Sequence, residues 1–103
     1  MDTDKSRLLE ESVTETVIGA FFTVYKELGY GFLENVYENA LAHLLRSQGL
    51  NVIQQPALDV YFRGCRVGEY RADLLIPGKL IIEVKAATLL TTSHEAQLIN
   101  YLR

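Results

Sequence analysis

The sequence has few residues that could cross-link the chain or anchor it in a membrane. It contains one cysteine, Cys65, two prolines and no tryptophan among 103 residues. A single cysteine excludes an intrachain disulfide and a thiolate-rich zinc site, and it fits a reducing, cytoplasmic setting. No hydrophobic run is long enough to span a bilayer, and the polar N-terminus has no signal-peptide core, so no membrane association is expected.

The chain also lacks a surplus of positive charge. Its formal net charge of -3 gives no general attraction to nucleic acid, so a phosphate-binding surface would have to be local. Six of the ten basic residues lie in the second half of the chain and weakly indicate a basic rim there: Arg63, Arg66, Arg71, Lys79, Lys85 and Arg103. A bound divalent metal would reverse the sign of an acidic pocket.

The length and composition fit one ordinary globular domain covering residues 1–103, with 49% hydrophobic and 22% charged residues. Apolar spacings of three and four predict two N-terminal helices, from about Ser6 to Leu28 and from about Leu33 to Gln48. Three β-type segments follow, Val52–Phe62, Val67–Ile76 and Leu80–Ala86, and they predict a three-stranded meander. After a small polar loop, the capping-box spacing of Thr92–Glu95 predicts the start of a C-terminal helix. The fold class is therefore α+β.

Charged residues interrupt the apolar hairpin that Pro77-Gly78 closes. Alternation along a strand puts Glu83 and Lys85 on one face, and Asp73, at the start of the preceding strand, is expected beside them. Two carboxylates and an ammonium suit a hard cation with a proton donor nearby. The alternative is an ordinary ion pair at an exposed strand end, but the apolar strands on both sides favour the functional interpretation.

The second candidate group opens the second helix. Glu34 and Tyr37 are three residues apart and share a helical face, so Glu34 is a candidate site acid or simply a first-turn residue favoured by the helix dipole. The residues alone leave these two interpretations even. Glu38 is expected to point elsewhere and to be solvated.

The third candidate group lies on the final helix. Gln97 and Tyr101 are four residues apart on one face, where an amide and a phenol could hold a phosphate or brace Lys85. Taken alone, this pattern is better explained as a polar helix face with a half-packed tyrosine. Tyr70, like the other scattered tyrosines, is interpreted as core or rim packing.

Together these groups resemble the small GxxExxY proteins of the PD-(D/E)XK nuclease superfamily. The naming motif is Gly31, Glu34 and Tyr37, and the order of elements matches from about Leu8 to Arg103. The resemblance implies a restriction-endonuclease-like core of α/β type, shortened at the C-terminus and lacking the usual final strand of the sheet. An open sheet edge of that kind would invite pairing with a second copy, giving a homodimer, or with a partner chain.

The resemblance also implies a set of catalytic residues that converge on one metal site: Glu34, Asp73, Glu83, Lys85, Gln97 and Tyr101. Asp73, Glu83 and the Val84 backbone carbonyl would hold Mg²⁺ or Mn²⁺, and Glu34 would join them directly or through water. The implied function is a metal-dependent nuclease, with DNA favoured over RNA as substrate. The alternative is an inactive module with the nuclease fold that binds nucleic acid or protein, alone or within a larger defence or repair assembly.

Overall fold

The computed structural model describes residues 3–85 and 88–93, and within them it confirms an α+β architecture. Both helices lie where the apolar spacing predicts them, α1 over Thr3–Leu28 and α2 over Glu34–Ser47. The strands are β1 (Ile53–Gln54), β2 (Ala57–Phe62), β3 (Cys65–Arg71), β4 (Leu74–Ile76), β5 (Leu80–Lys85) and β6 (Thr88–Ser93).

The tyrosine of the GxxExxY motif fixes the loop between the helices. Tyr37 is fully buried, its hydroxyl donates to the Gly29 carbonyl at 2.6 Å, and it accepts the Phe32 N–H at 3.4 Å. Its ring stacks on Tyr25 of α1, with 5.6 Å between centroids. Gly31 has a φ of 105°, a value that residues with a side chain rarely adopt. The backbone conformation therefore requires the motif glycine. Two of the three motif residues therefore have structural roles.

Replacing Tyr37 with phenylalanine should reduce the free energy of unfolding by roughly 1–2 kcal/mol, because the Gly29 carbonyl loses its donor. Denaturant unfolding measures this loss. Tyr30→Phe is the matched control, since Tyr30 lies in the same loop and is 85% exposed. Equal stability of the two variants would show that the hydroxyl does not hold the loop.

Four strands form one antiparallel sheet in the order β1-β4-β5-β6. Both helices pack on one face of it, because alternate residues of β4 and β5 are apolar and point to that side. The residues that make up this core are Val17, Ala20, Phe21, Val24, Tyr37, Leu41, Ala42, Leu45, Val52, Leu74, Ile76, Leu80, Ile82 and Val84.

The other two strands, β2 and β3, pair with each other to form a separate two-stranded ribbon, with a register shift between Val60 and Tyr61. The ribbon packs against the opposite face of the four-stranded sheet. The second, smaller core consists of Ala72, Leu75 and Ile81 with Leu58 and Tyr70 against it. Residues at odd positions of β5 therefore face the ribbon.

The predicted three-stranded meander differs from this arrangement. The segment expected as one strand over residues 67–76 divides at Ala72 and Asp73, so that β3 pairs with the ribbon and β4 with the main sheet. The reason is that the Ala72 N–H donates to the Pro56 carbonyl at 3.2 Å and not across the hairpin to β5.

The polar loop predicted after Ala86 was wrong, because Thr88–Ser93 forms β6 and pairs along β5 from Leu80 to Lys85. Threonine-rich segments suit strands as well as loops. The predicted start of the final helix at Thr92 falls in β6, and the remainder of that helix lies outside the described residues. No helix in the described part of the chain is long and apolar enough to cross a bilayer.

Candidate functional site

Asp73 lies between β3 and β4, at the point where the chain passes from the ribbon to the main sheet. The hydrogen-bonded ladder between β4 and β5 ends at the pair Leu74 and Ile82. The next amide of β5 that points toward β4 is that of Val84, and it has no partner in β4. The Asp73 carboxylate takes that place, accepting the Val84 N–H on Oδ2 at 2.7 Å. Since the N–H and C=O of one strand residue point to the same side, the Val84 carbonyl is directed toward this end of the hairpin too.

Glu83 is buried on the ribbon side of β5, at 8% exposure. The Tyr70 hydroxyl of β3 donates a hydrogen bond to its Oε1. Burial raises the pKa of the Glu83 carboxyl, and the nearby Asp73 raises it further, whereas Tyr70 and Lys85 act in the opposite direction. Asp73 and Glu83 therefore form a close pair of carboxylates, as the hairpin pattern predicts.

Lys85 is exposed at the end of β5, on the same face as Glu83. Its ammonium lowers the pKa of Glu83, so the two groups interact electrostatically. The site therefore combines a buried carboxylate with an adjacent exposed ammonium.

Glu38 is the acid of α2 whose described side-chain contacts lead toward this site. Glu34 is exposed at the first residue of α2. Glu38, one turn further on, was expected to be solvated, and that expectation was wrong: it is 8% exposed. Its Oε1 accepts from Gln55 Nε2 at 2.8 Å, and the same nitrogen lies 3.4 Å from Asp73 Oδ1. The role predicted for Glu34 stays a prediction.

Three of the six basic residues predicted to rim the hairpin make contacts within the protein itself. Arg66 pairs with Asp59 at 2.8 Å and lies 3.6 Å from Glu69. Arg71 donates to the Gln55 carbonyl at 2.7 Å, and Arg63 lies over the Phe62 ring at 5.3 Å. The ion pairs of Arg66 offset part of the positive charge that the rim offers to a phosphate.

The donor set suits a hard divalent cation, since two adjacent carboxylates supply charged oxygen ligands. Among the residues that the structure describes, no group of three or more histidine, cysteine or acidic side chains is placed to hold a metal ion by itself. A backbone carbonyl such as that of Val84, or water, would therefore have to complete the shell. Gln97 and Tyr101 lie outside the described ranges and stay predictions.

A comparison with models of protein families identifies the family of this chain. The family model described as the PD-(D/E)XK nuclease superfamily matches residues 11–103. The chain belongs to the PD-(D/E)XK nuclease superfamily. Searches of the curated proteins and of the solved structures found no significant match to it. The catalytic roles of Asp73, Glu83 and Lys85 in this PD-(D/E)XK chain stay predictions.

Sequence reasoning missed three residues around the acids of this PD-(D/E)XK protein: Tyr70, Glu38 and Gln55. Tyr70 pairs with Leu58 across the ribbon and lies on the same face of it. This pairing joins residues that are distant in sequence, so the local pattern does not predict it. Glu38 adjoins the buried Tyr37, and an acid at the edge of an apolar helix stripe is the signal that could have identified it.

Proposed function

We propose that the protein is a Mg²⁺- or Mn²⁺-dependent nuclease that hydrolyses phosphodiester bonds, with DNA favoured over RNA. The observation that carries the proposal is the pair of adjacent carboxylates, Asp73 and Glu83, beside Lys85 in a member of the PD-(D/E)XK nuclease superfamily. Keeping two acids together in a partly buried position raises the free energy of the folded chain without metal, as the raised pKa of Glu83 indicates. A cation-binding role accounts for that cost.

The groups proposed to hold the metal are the carboxylates of Asp73 and Glu83 and the carbonyl of Val84, with Glu34 contributing directly or through water. When bound, a divalent cation supplies Lewis-acid activation of water and neutralises phosphate charge. The hydrogen bond from Val84 N–H fixes one Asp73 oxygen, and the Tyr70 hydroxyl fixes one Glu83 oxygen. Glu83 keeps its other oxygen as a candidate ligand, and Asp73 offers Oδ1, which makes the longer contact of 3.4 Å with Gln55 Nε2.

Lys85 is proposed to orient the attacking water and to stabilise negative charge that develops on the phosphate. Its exposure at the end of β5 supports this role, because a phosphodiester approaching from solvent would reach the ammonium before the buried carboxylate. Gln97 and Tyr101 are proposed to brace Lys85 or the phosphate.

The test is a cleavage assay on single- and double-stranded DNA and RNA, with Mg²⁺, Mn²⁺ or EDTA. We expect metal-dependent cleavage, faster on DNA, and a loss of orders of magnitude for Lys85→Ala. Lys79→Ala is the matched control, since Lys79 is an exposed lysine in the turn of the same hairpin. Binding of nucleic acid without cleavage in any metal would favour the inactive binding module, and equal activity in the two lysine variants would remove Lys85 from the site.

A cytoplasmic location and a pairing partner at the sheet edge are part of the proposal. Cys65 is free and exposed, which suits a reducing compartment. In the described part of the chain β1 and β6 are the outer strands of the four-stranded sheet, so either edge could add a strand from a second copy or a partner chain. Light scattering of the purified protein would distinguish a homodimer from a monomer.

A further inference from the structure

Gln55 has an unusual backbone conformation at the junction between the sheet and the ribbon. Its φ is 54°, a left-handed value that residues other than glycine seldom adopt. Hydrogen bonds fix it on both sides: its N–H donates to the Asp73 carbonyl at 2.8 Å, and its carbonyl accepts Arg71 Nη1 at 2.7 Å. Strain of this kind persists only where the surroundings hold it in place.

Gln55 is exposed, and its side chain lies between two acids. Gln55 Nε2 donates to Glu38 Oε1 at 2.8 Å and makes a longer contact of 3.4 Å with Asp73 Oδ1. The other Asp73 oxygen is the one bound to the Val84 N–H. A continuous chain of contacts thus runs from α2 through Gln55 to Asp73 and the end of β5.

Glu38 is the anchor of this chain. It is a buried carboxylate, and Gln54 Nε2 donates to its second oxygen at 3.0 Å. Burying a carboxylate is unfavourable unless hydrogen bonds compensate it, and here both donors are neutral amides of the same dipeptide. A buried acid whose hydrogen bonds converge on one short segment restricts the position of that segment.

We propose that Gln55, anchored by Glu38, is the positioning residue for Asp73: it holds the carboxylate in the orientation in which one oxygen caps Val84 and the other faces the metal site. The expected effect on Mn²⁺ binding rests on the proposed function, whereas the expected effect on hydrogen exchange at the Val84 amide does not. Replacing a residue that orients a metal ligand commonly weakens metal binding about 10- to 100-fold.

Gln55→Gly is the decisive variant, because glycine accepts the positive φ while removing the amide. The expected result is a protein that still folds by circular dichroism, about tenfold weaker Mn²⁺ binding by calorimetry, and faster hydrogen exchange at the Val84 amide. The Ile82 amide serves as internal reference, since Ile82 pairs with Leu74 in the ladder and should keep its protection. Glu38→Ala should also weaken Mn²⁺ binding. The double variant should lose no more Mn²⁺ affinity than the more strongly affected single variant.

Gln54→Ala is the matched control, since Gln54 also donates to Glu38 but its contacts lead to Asn39 and Arg46, on α2. It should leave both Val84 exchange and Mn²⁺ affinity near the wild-type values. Unchanged Val84 exchange in Gln55→Gly overturns the inference whether or not metal binds. Faster exchange with unchanged Mn²⁺ affinity in a protein that binds Mn²⁺ overturns it as well. A wild-type protein that neither binds Mn²⁺ nor cleaves refutes the proposed function, and Val84 exchange then still decides the positioning role.

Discussion

Asp73→Asn should abolish metal-dependent cleavage, with a loss on the order of 10³-fold or more in kcat/KM. The asparagine oxygen can still accept the Val84 N–H, so the end of the hairpin should remain capped. The change removes the negative charge that a hard cation requires and replaces the second carboxylate oxygen with an amide nitrogen. Initial rates with Mn²⁺, together with circular dichroism to verify folding, measure the effect.

Asp59→Asn is the control for this substitution. Asp59 is also an acid converted to its amide, but it lies on the ribbon and pairs with Arg66 at half-exposed positions. Exposed ion pairs contribute little to stability, so this variant should retain wild-type cleavage. Comparable rates in the two variants would mean that Asp73 is a strand cap with no catalytic role.

Glu83→Gln should make the metal-free protein more stable and prevent Mn²⁺ from stabilising it. The wild-type carboxylate is buried near Asp73, so its neutral isostere should add about 1 kcal/mol in EDTA, and a change of that size shifts the melting temperature by about 4–8 °C in a small domain. Saturating Mn²⁺ at about 100 times its Kd should stabilise the wild type by about 2.7 kcal/mol and the variant hardly at all. Thermal melts with EDTA and with Mn²⁺ measure both effects.

The direction of the pH dependence follows from the raised pKa of Glu83. Between the pKa of the unfolded chain and the higher pKa of the folded chain, the folded state binds more protons, so its stability falls as pH rises through this window. The advantage of Glu83→Gln in EDTA should therefore grow from acidic to neutral pH. Glu69→Gln, at an exposed ribbon position, should show no such trend. If Glu83→Gln melts at a lower temperature than the wild type at neutral pH without metal, then the buried Glu83 carboxylate does not destabilise the metal-free protein and the interpretation is wrong.

The elements whose residues make local contacts could be predicted from the sequence. The apolar spacing of α1 and α2 and the Pro77-Gly78 turn between β4 and β5 depend on neighbours only a few residues away, and all of them lie where they were expected. The nearness of Asp73 to Glu83 follows from the same hairpin. These features need no knowledge of which strand pairs with which.

The parts that could not be predicted depend on distant partners. Residues 67–76 include the weak strand formers Ala72 and Asp73, but nothing local reveals that the Ala72 N–H donates to the Pro56 carbonyl where the strand ends. The two amides that donate to the buried Glu38 lie 16 and 17 residues further along the chain, beyond the reach of helix periodicity. Tyr70 reaches Glu83 only because the ribbon folds across the sheet.

The division of one segment between two sheets has a mechanical consequence. Tyr70, which holds Glu83, and Asp73, which holds Val84, lie three residues apart on the segment that leaves the ribbon and enters the main sheet. A shift of the ribbon would pull on both carboxylates together. A molecule that binds the ribbon and displaces it would therefore act on both acids at once.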